Sequence, residues 1–133
     1  MADPESTIVF LAKAEGSLAG AESAFANDRF NNCANRSYYA CFQAAIGALV
    51  RAGIESAGPG WNHGFVQARF AGELVYRRKL YPASLRDALT QNLALRQRAD
   101  YELQRVSGVQ ALRALRRARQ LMEAIVAREN ERR

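Results

Sequence analysis

Residues 33–52 constrain the fold more than any other stretch of the chain. On a helix turning about 100° per residue, Ala34, Tyr38, Cys41, Phe42, Ala45, Ile46 and Leu49 spread over more than a third of the circumference. A helix that apolar is satisfied at the centre of a bundle, with neighbours on several sides. Its polar members are therefore informative. Asn35 projects beside Phe42 and Ile46, Ser37 edges the stripe, and Arg36 shares the opposite face with Gln43, Gly47 and Arg51.

The flanking sequence supplies the neighbours. A first helix is expected from a Ser6 or Thr7 cap to about residue 29, with Phe10, Ala14, Leu18, Ala21, Ala24 and Phe25 inward, and Asn31 or Asn32 is expected to cap the central helix. Gly53, Gly58, Pro59 and Gly60 mark a loop that ends near the single Trp (Trp61) and the single His (His63). A third helix, about residues 64–78, carries two apolar patches: Phe65, Ala68, Gly72, Val75 and Tyr76, and separately Phe70 and Leu74, the second patch being a candidate dimer surface. Ser84 opens a fourth helix to about residue 103. Ser107 and Gly108 precede a fifth, to about residue 129, with Ala111, Ala114, Leu115, Ala118, Leu121, Met122, Ile125 and Val126 inward and Arg113, Arg116, Arg117 and Gln120 outward. No stretch alternates as a strand does, so the expected class is all-α, an up-and-down bundle of four long helices with room for a short fifth, in a single domain over residues 1–133.

The fourth helix holds the main functional clue. Leu85, Ala88, Leu89, Leu93, Leu95, Ala99 and Leu103 gather on one side, yet Asn92, Arg96 and Asp100, spaced one turn apart, fall within the same arc. A charge set into an apolar stripe must pair, reach water in a cleft, or both, because burying it alone costs several kcal/mol. Asn35 is the expected group to meet this ladder. Arg96 and Asp100 stand four apart and so can pair with each other, which is the structural alternative. The functional one is a phosphate-binding guanidinium oriented by a carboxylate.

Charge agrees with a polyanionic ligand. The formal net charge is +6, and from Arg96 to Arg133 ten arginines face five acids. A genome rich in arginine codons explains the same bias, since only Lys13 and Lys79 are lysines. Cys33 and Cys41 lie eight residues apart, roughly 12 Å along one helix, too far to bridge each other, and read as reduced core residues. One His and two distant Cys make no metal site, no phosphate-loop or hydrolase motif is present, and no metal or cofactor is expected. With no signal-like segment and no apolar span of membrane length, a cytoplasmic protein without membrane contact is expected.

Three motifs in order carry a family resemblance: Asn35-Arg36-Ser37-Tyr38-Tyr39-Ala40, then His63-Gly64 opening a helix, then Arg96-Gln97-Arg98-Ala99-Asp100-Tyr101. Over roughly residues 8–127 the chain resembles the HEPN family (higher eukaryote and prokaryote nucleotide-binding domain), in its small stand-alone prokaryotic branch. The resemblance implies a helical bundle, a homodimer with a polar cleft near its axis, and pairing with a small nucleotidyltransferase as toxin and antitoxin. It also implies metal-independent ribonuclease activity, whose signature is Arg, four to six residues, then His. Arg96 matches the arginine, but Tyr101 stands where the histidine would. A phenol, with a reference pKa of about 10, is a poor base at neutral pH. On an ideal helix Tyr101 also lies about 140° from Arg96.

The reading that follows is a nucleotide- or RNA-binding protein in which Arg96 contacts phosphate, Asn35, Tyr38 and Asp100 shape the site, and Arg36 adds charge. A ribonuclease using Arg96 with Tyr101 or Asp100, or with His63 in their place, is the first alternative. A non-catalytic partner of a nucleotidyltransferase is the second.

Overall fold

A computed structural model of the chain describes residues 4–101 and 105–131. Its five α-helices are α1 (Pro4–Ala26), α2 (Phe30–Arg51), α3 (His63–Arg69), α4 (Ala88–Tyr101) and α5 (Gly108–Glu131), and no strand occurs among the described residues. α2 packs against α1, α3, α4 and α5. Twelve of its residues are buried, among them Cys33, Ser37, Tyr38, Cys41, Ile46 and Leu49, which is the central position that its apolar circumference demands. Part of the face of α2 opposite the stripe is covered as well, although Arg36 on that face stays exposed. Gly47 is buried against Leu11 and Phe10 of α1, and Gln43 is hydrogen-bonded to Ser17 Oγ at 2.7 Å. Four long helices and one short one thus form an all-α bundle.

Helix ends follow local chemistry, with three departures from expectation. α1 begins at Pro4, whose missing N–H costs nothing in a first turn. Thr7 is accordingly inside the helix and buried, and caps nothing. Asn31 and Asn32 also lie within α2 and do not cap it. Asn31 Oδ1 instead accepts from Val106 N at 2.9 Å, and its Nδ2 donates to Ala99 O at 3.4 Å, tying the start of α2 to the end of α4. Ser84 falls in a short 3-10 turn (Ala83–Leu85), and α4 proper starts at Ala88. Leu103, expected to continue the fourth helix, lies outside the described residues. At the expected boundary before α5, Ser107 Oγ accepts from Gln110 N at 3.1 Å while Gln110 Oε1 accepts from Ser107 N at 2.9 Å, a reciprocal capping box.

The third helix corrects a more consequential expectation. After Arg69 it continues as a π-helix, Phe70–Arg77, with hydrogen bonds reaching five residues back, such as Arg78 N to Glu73 O at 2.9 Å. The wider turn brings Phe70, Leu74 and Val75 inward together and sends Tyr76 out. Phe70 stacks on Tyr81 with ring centroids 5.4 Å apart. The Phe70 and Leu74 patch is therefore core and not a dimer surface.

Candidate functional site

Asn92, Arg96 and Asp100 share one arc of α4, but the structure divides their work. Asn92 is fully buried where α2, α4 and α5 meet. Its Nδ2 donates to Ala114 O at 3.1 Å and to Cys41 Sγ at 3.3 Å, and its Oδ1 accepts from Arg117 Nε at 2.7 Å. The two amide atoms thus have opposite kinds of partner, which fixes their assignment. Burial pushes the Cys41 thiol up to about 12, so it meets Asn92 as a neutral group. Asn92 is a structural hub.

One turn on, Arg96 stands at the edge of the core. Its guanidinium carbon lies 5.3 Å from the Tyr38 ring centroid and 5.1 Å from that of Tyr39, while 23% of the side chain stays exposed. Cation–π contact of this kind contributes about 0.5–2 kcal/mol and restrains the guanidinium without using its N–H donors. Asp100 Oδ2 approaches Arg96 Nε at 3.4 Å, but Nε has no directed hydrogen bond. The pair is therefore a charge contact, with the Nε–H directed elsewhere. Arg96 is thus walled by aromatic carbon, neutralised from one side only, and open to solvent.

Tyr38 extends the cluster inward. Its ring stacks on Phe42 with centroids 5.7 Å apart, and its hydroxyl lies 3.4 Å from His63 Nδ1 at the start of α3. Burial pushes the Tyr38 phenol up to about 12, an effect the nearby Arg96 charge only partly offsets. Burial also pulls the His63 imidazole below its ordinary value. A protonated phenol donating to an unprotonated Nδ1 is the arrangement consistent with both. Asn62 holds His63 in place by capping α3, accepting from Phe65 N at 2.8 Å.

The remaining nominated residues lie elsewhere. Asn35 and Arg36 line a polar cleft between the end of α1 and the start of α2, together with Ser23, Asn27, Arg29 and Asn32. Arg36 lays its stem across Gly20, where an added Cβ would sit 3.7 Å from Arg36 Cδ. No hydrogen bond joins Asn35 to Arg96 or Asp100. Tyr101 is 80% exposed and forms neither a hydrogen bond nor a cation–π contact with Arg96. Tyr39, not among the expected site residues, walls Arg96, and His63 reaches it through Tyr38. The available signal for Tyr39 was its position on α2, one turn from Asn35 and next to Tyr38. None existed for the contact between Asn92 and Arg117, which joins residues 25 apart.

Among the described residues no cluster of His, Cys, Asp or Glu is suited to a metal, and no helix is long and apolar enough to cross a membrane. No curated protein matches the sequence. The family model described as HEPN domain matches residues 9–130, nearly the whole chain and the whole of the cluster around Arg96. With that match and the all-α bundle that carries it, the chain belongs to the HEPN domain family.

Proposed function

We propose that this protein binds nucleotide or RNA, with Arg96 as the phosphate contact and Tyr38, Tyr39 and Asp100 as the walls that hold it. The observation that carries the reading is the state of Arg96: a guanidinium 5.3 and 5.1 Å from two phenol rings, approached by one carboxylate at 3.4 Å, with 23% of its side chain still exposed to solvent. Guanidinium geometry fits two phosphate oxygens at once, and the restraint from the rings lowers the ordering cost of binding. In this reading the chain acts as one HEPN-like domain, a cytoplasmic homodimer, and one half of a toxin–antitoxin-like pair with a small nucleotidyltransferase. Asn35 and Arg36 extend the ligand's path along α2, and Arg36 adds charge.

A metal-independent endoribonuclease is the second reading, favoured by the 3.4 Å approach of Asp100 to Arg96. Asp100 would take the proton of a ribose 2′-hydroxyl as that oxygen attacks the adjacent phosphorus. The P–O5′ bond would break to leave a 2′,3′-cyclic phosphate, the departing 5′-oxygen taking a proton from the now protonated Asp100 or from water, while Arg96 would stabilise the charge developing on the phosphate. Tyr101, exposed and without a hydrogen bond to Arg96, has the weaker claim.

Fluorescence anisotropy with a labelled oligoribonucleotide and a labelled nucleotide, at low and moderate salt, tests the first reading. Binding is expected in the wild type and about tenfold weaker in Arg96→Gln. Absence of binding at either salt would leave only the role of a protein-binding partner. Incubation with single-stranded RNA in chelator tests the second. Cleavage abolished by Arg96→Ala supports it, and an inert wild type removes it.

A further inference from the structure

On the side of α4 away from Tyr38 and Tyr39, a groove runs between α4 and α5. Gln91, Leu95 and Arg98 line it from α4, and Gln110, Arg113 and Arg117 from α5, with no carboxylate in the lining. Arg113 and Arg117 stand one helical turn apart and so project the same way.

Arg117 is the unusual member. Its Nε donates at 2.7 Å to Asn92 Oδ1, and Asn92 is itself locked by its donations to Ala114 O and Cys41 Sγ. The guanidinium is therefore held in place by a fully buried, neutral partner. Neither Arg117 nor Arg113 forms an ion pair among the described residues. Burial and the neighbouring Arg113 charge both act against the Arg117 cation, and no carboxylate among the described residues acts in its favour. A partly desolvated positive charge kept rigid beside a second one is costly unless an anion compensates it. With Nε occupied, the terminal edge of the Arg117 fork is the part left to grip two oxygens of a ligand. Gln110 turns its Oε1 to Ser107 N, which leaves its amide nitrogen as a further donor.

We propose that this groove is a second anion site, in which Arg117 and Arg113 clamp a phosphoryl group, separate from Arg96. The site is independent of the reading given above for Arg96. A phosphoryl group fits for two reasons: its tetrahedral oxygens match the end of a guanidinium, and its multiple charge matches two cations better than a single carboxylate does.

The test is calorimetric titration with pyrophosphate, ionic strength being held constant with chloride, on the full chain and three variants. Binding is expected in the wild type and in Arg96→Gln alike, and about tenfold weaker or worse in Arg113→Gln and in Arg117→Lys. Because Arg117 also completes the bonding of Asn92, its variant must be shown to fold. Arg113 is exposed, so Arg113→Gln carries the test even where Arg117→Lys fails. A parallel titration with a short oligouridylate distinguishes the source of the phosphoryl group. Weakening of both ligands by Arg113→Gln supports the site with a phosphodiester chain as occupant, and weakening of pyrophosphate alone supports it with a free phosphorylated compound. No pyrophosphate binding by the wild type, equal binding by wild type and Arg113→Gln, or loss confined to Arg96→Gln would each overturn the proposal.

Discussion

Asn92 illustrates how one buried amide can hold three helices in register. It reaches α2 through Cys41 and α5 through Ala114 and Arg117 while riding on α4. Replacing it by leucine preserves much of the volume but removes the fully buried acceptor of the Arg117 Nε and the donor that reaches Cys41 and Ala114. Asn92→Leu is therefore expected to lose about 2–4 kcal/mol in urea unfolding. Asp100→Asn, which removes only a partly solvated charge contact, should lose no more than about 1 kcal/mol. The arc of polar residues on the fourth helix was readable from spacing alone. Which of its members is swallowed by the core was not, because that depends on where Arg117 arrives from a different helix. His63 gives a second prediction at this scale. The folded protein disfavours the imidazolium, so its value lies below the 6.5 of an unconstrained histidine. As pH falls through about 6.5 the unfolded chain gains a proton that the folded chain does not yet accept, and stability falls with it. Thermal melts from about pH 7.5 to 5.5 should show this decline, and His63→Asn should flatten it.

Among the elements, α1 and α2 end in the same way. At the first end Arg29 N bonds Ala24 O at 2.8 Å and Asp28 N bonds Phe25 O at 3.1 Å. At the second Ile54 N bonds Leu49 O at 2.9 Å and Gly53 N bonds Val50 O at 3.0 Å. Both are Schellman endings, with Asp28 (φ 59°) and Gly53 (φ 83°) in the left-handed position. Glycine takes that conformation freely, while an L-residue with a Cβ is strained there by roughly 1 kcal/mol or more. Gly53→Ala should thus destabilise by about 1 kcal/mol, and Asp28→Gly should stabilise by somewhat less, since aspartate tolerates the region better than most residues. Opposite signs for the two in parallel denaturation curves are the check. Gly53 was legible as a break because glycine announces one. Asp28 was hidden in a generally polar turn. The π-helix was illegible for a different reason: apolar residues mapped onto an ideal α-helix divide into two patches, and only a change of hydrogen-bond reach after Arg69 unites Phe70, Leu74 and Val75 on one face.

At the scale of the whole molecule, the apolar breadth of α2 was enough to assign the bundle and its centre. The position of the basic groups around that bundle was only half visible. The excess of arginine in the last third was plain, but not that α4 separates it into two regions, Arg96 facing the α2 tyrosines and Arg113 with Arg117 facing the α4–α5 groove. The proposed RNA binding would draw on two physically different contributions: the overall field and groups that touch phosphate. The salt dependence of RNA binding separates them. Each phosphate contact on a single strand contributes about 0.7 to the slope of log affinity against log salt, because it releases condensed counterions. Arg96→Gln should reduce that slope by about 0.7. Arg116→Gln is the matched control, because Arg116 is exposed on α5 and its loss lowers the net charge of +6 by the same single unit. If contact matters, the control leaves the slope nearly unchanged while Arg96→Gln lowers it. Equal slopes in the two variants would mean that Arg96 acts only as part of the general positive field, and the phosphate contact assigned to it would have to be withdrawn.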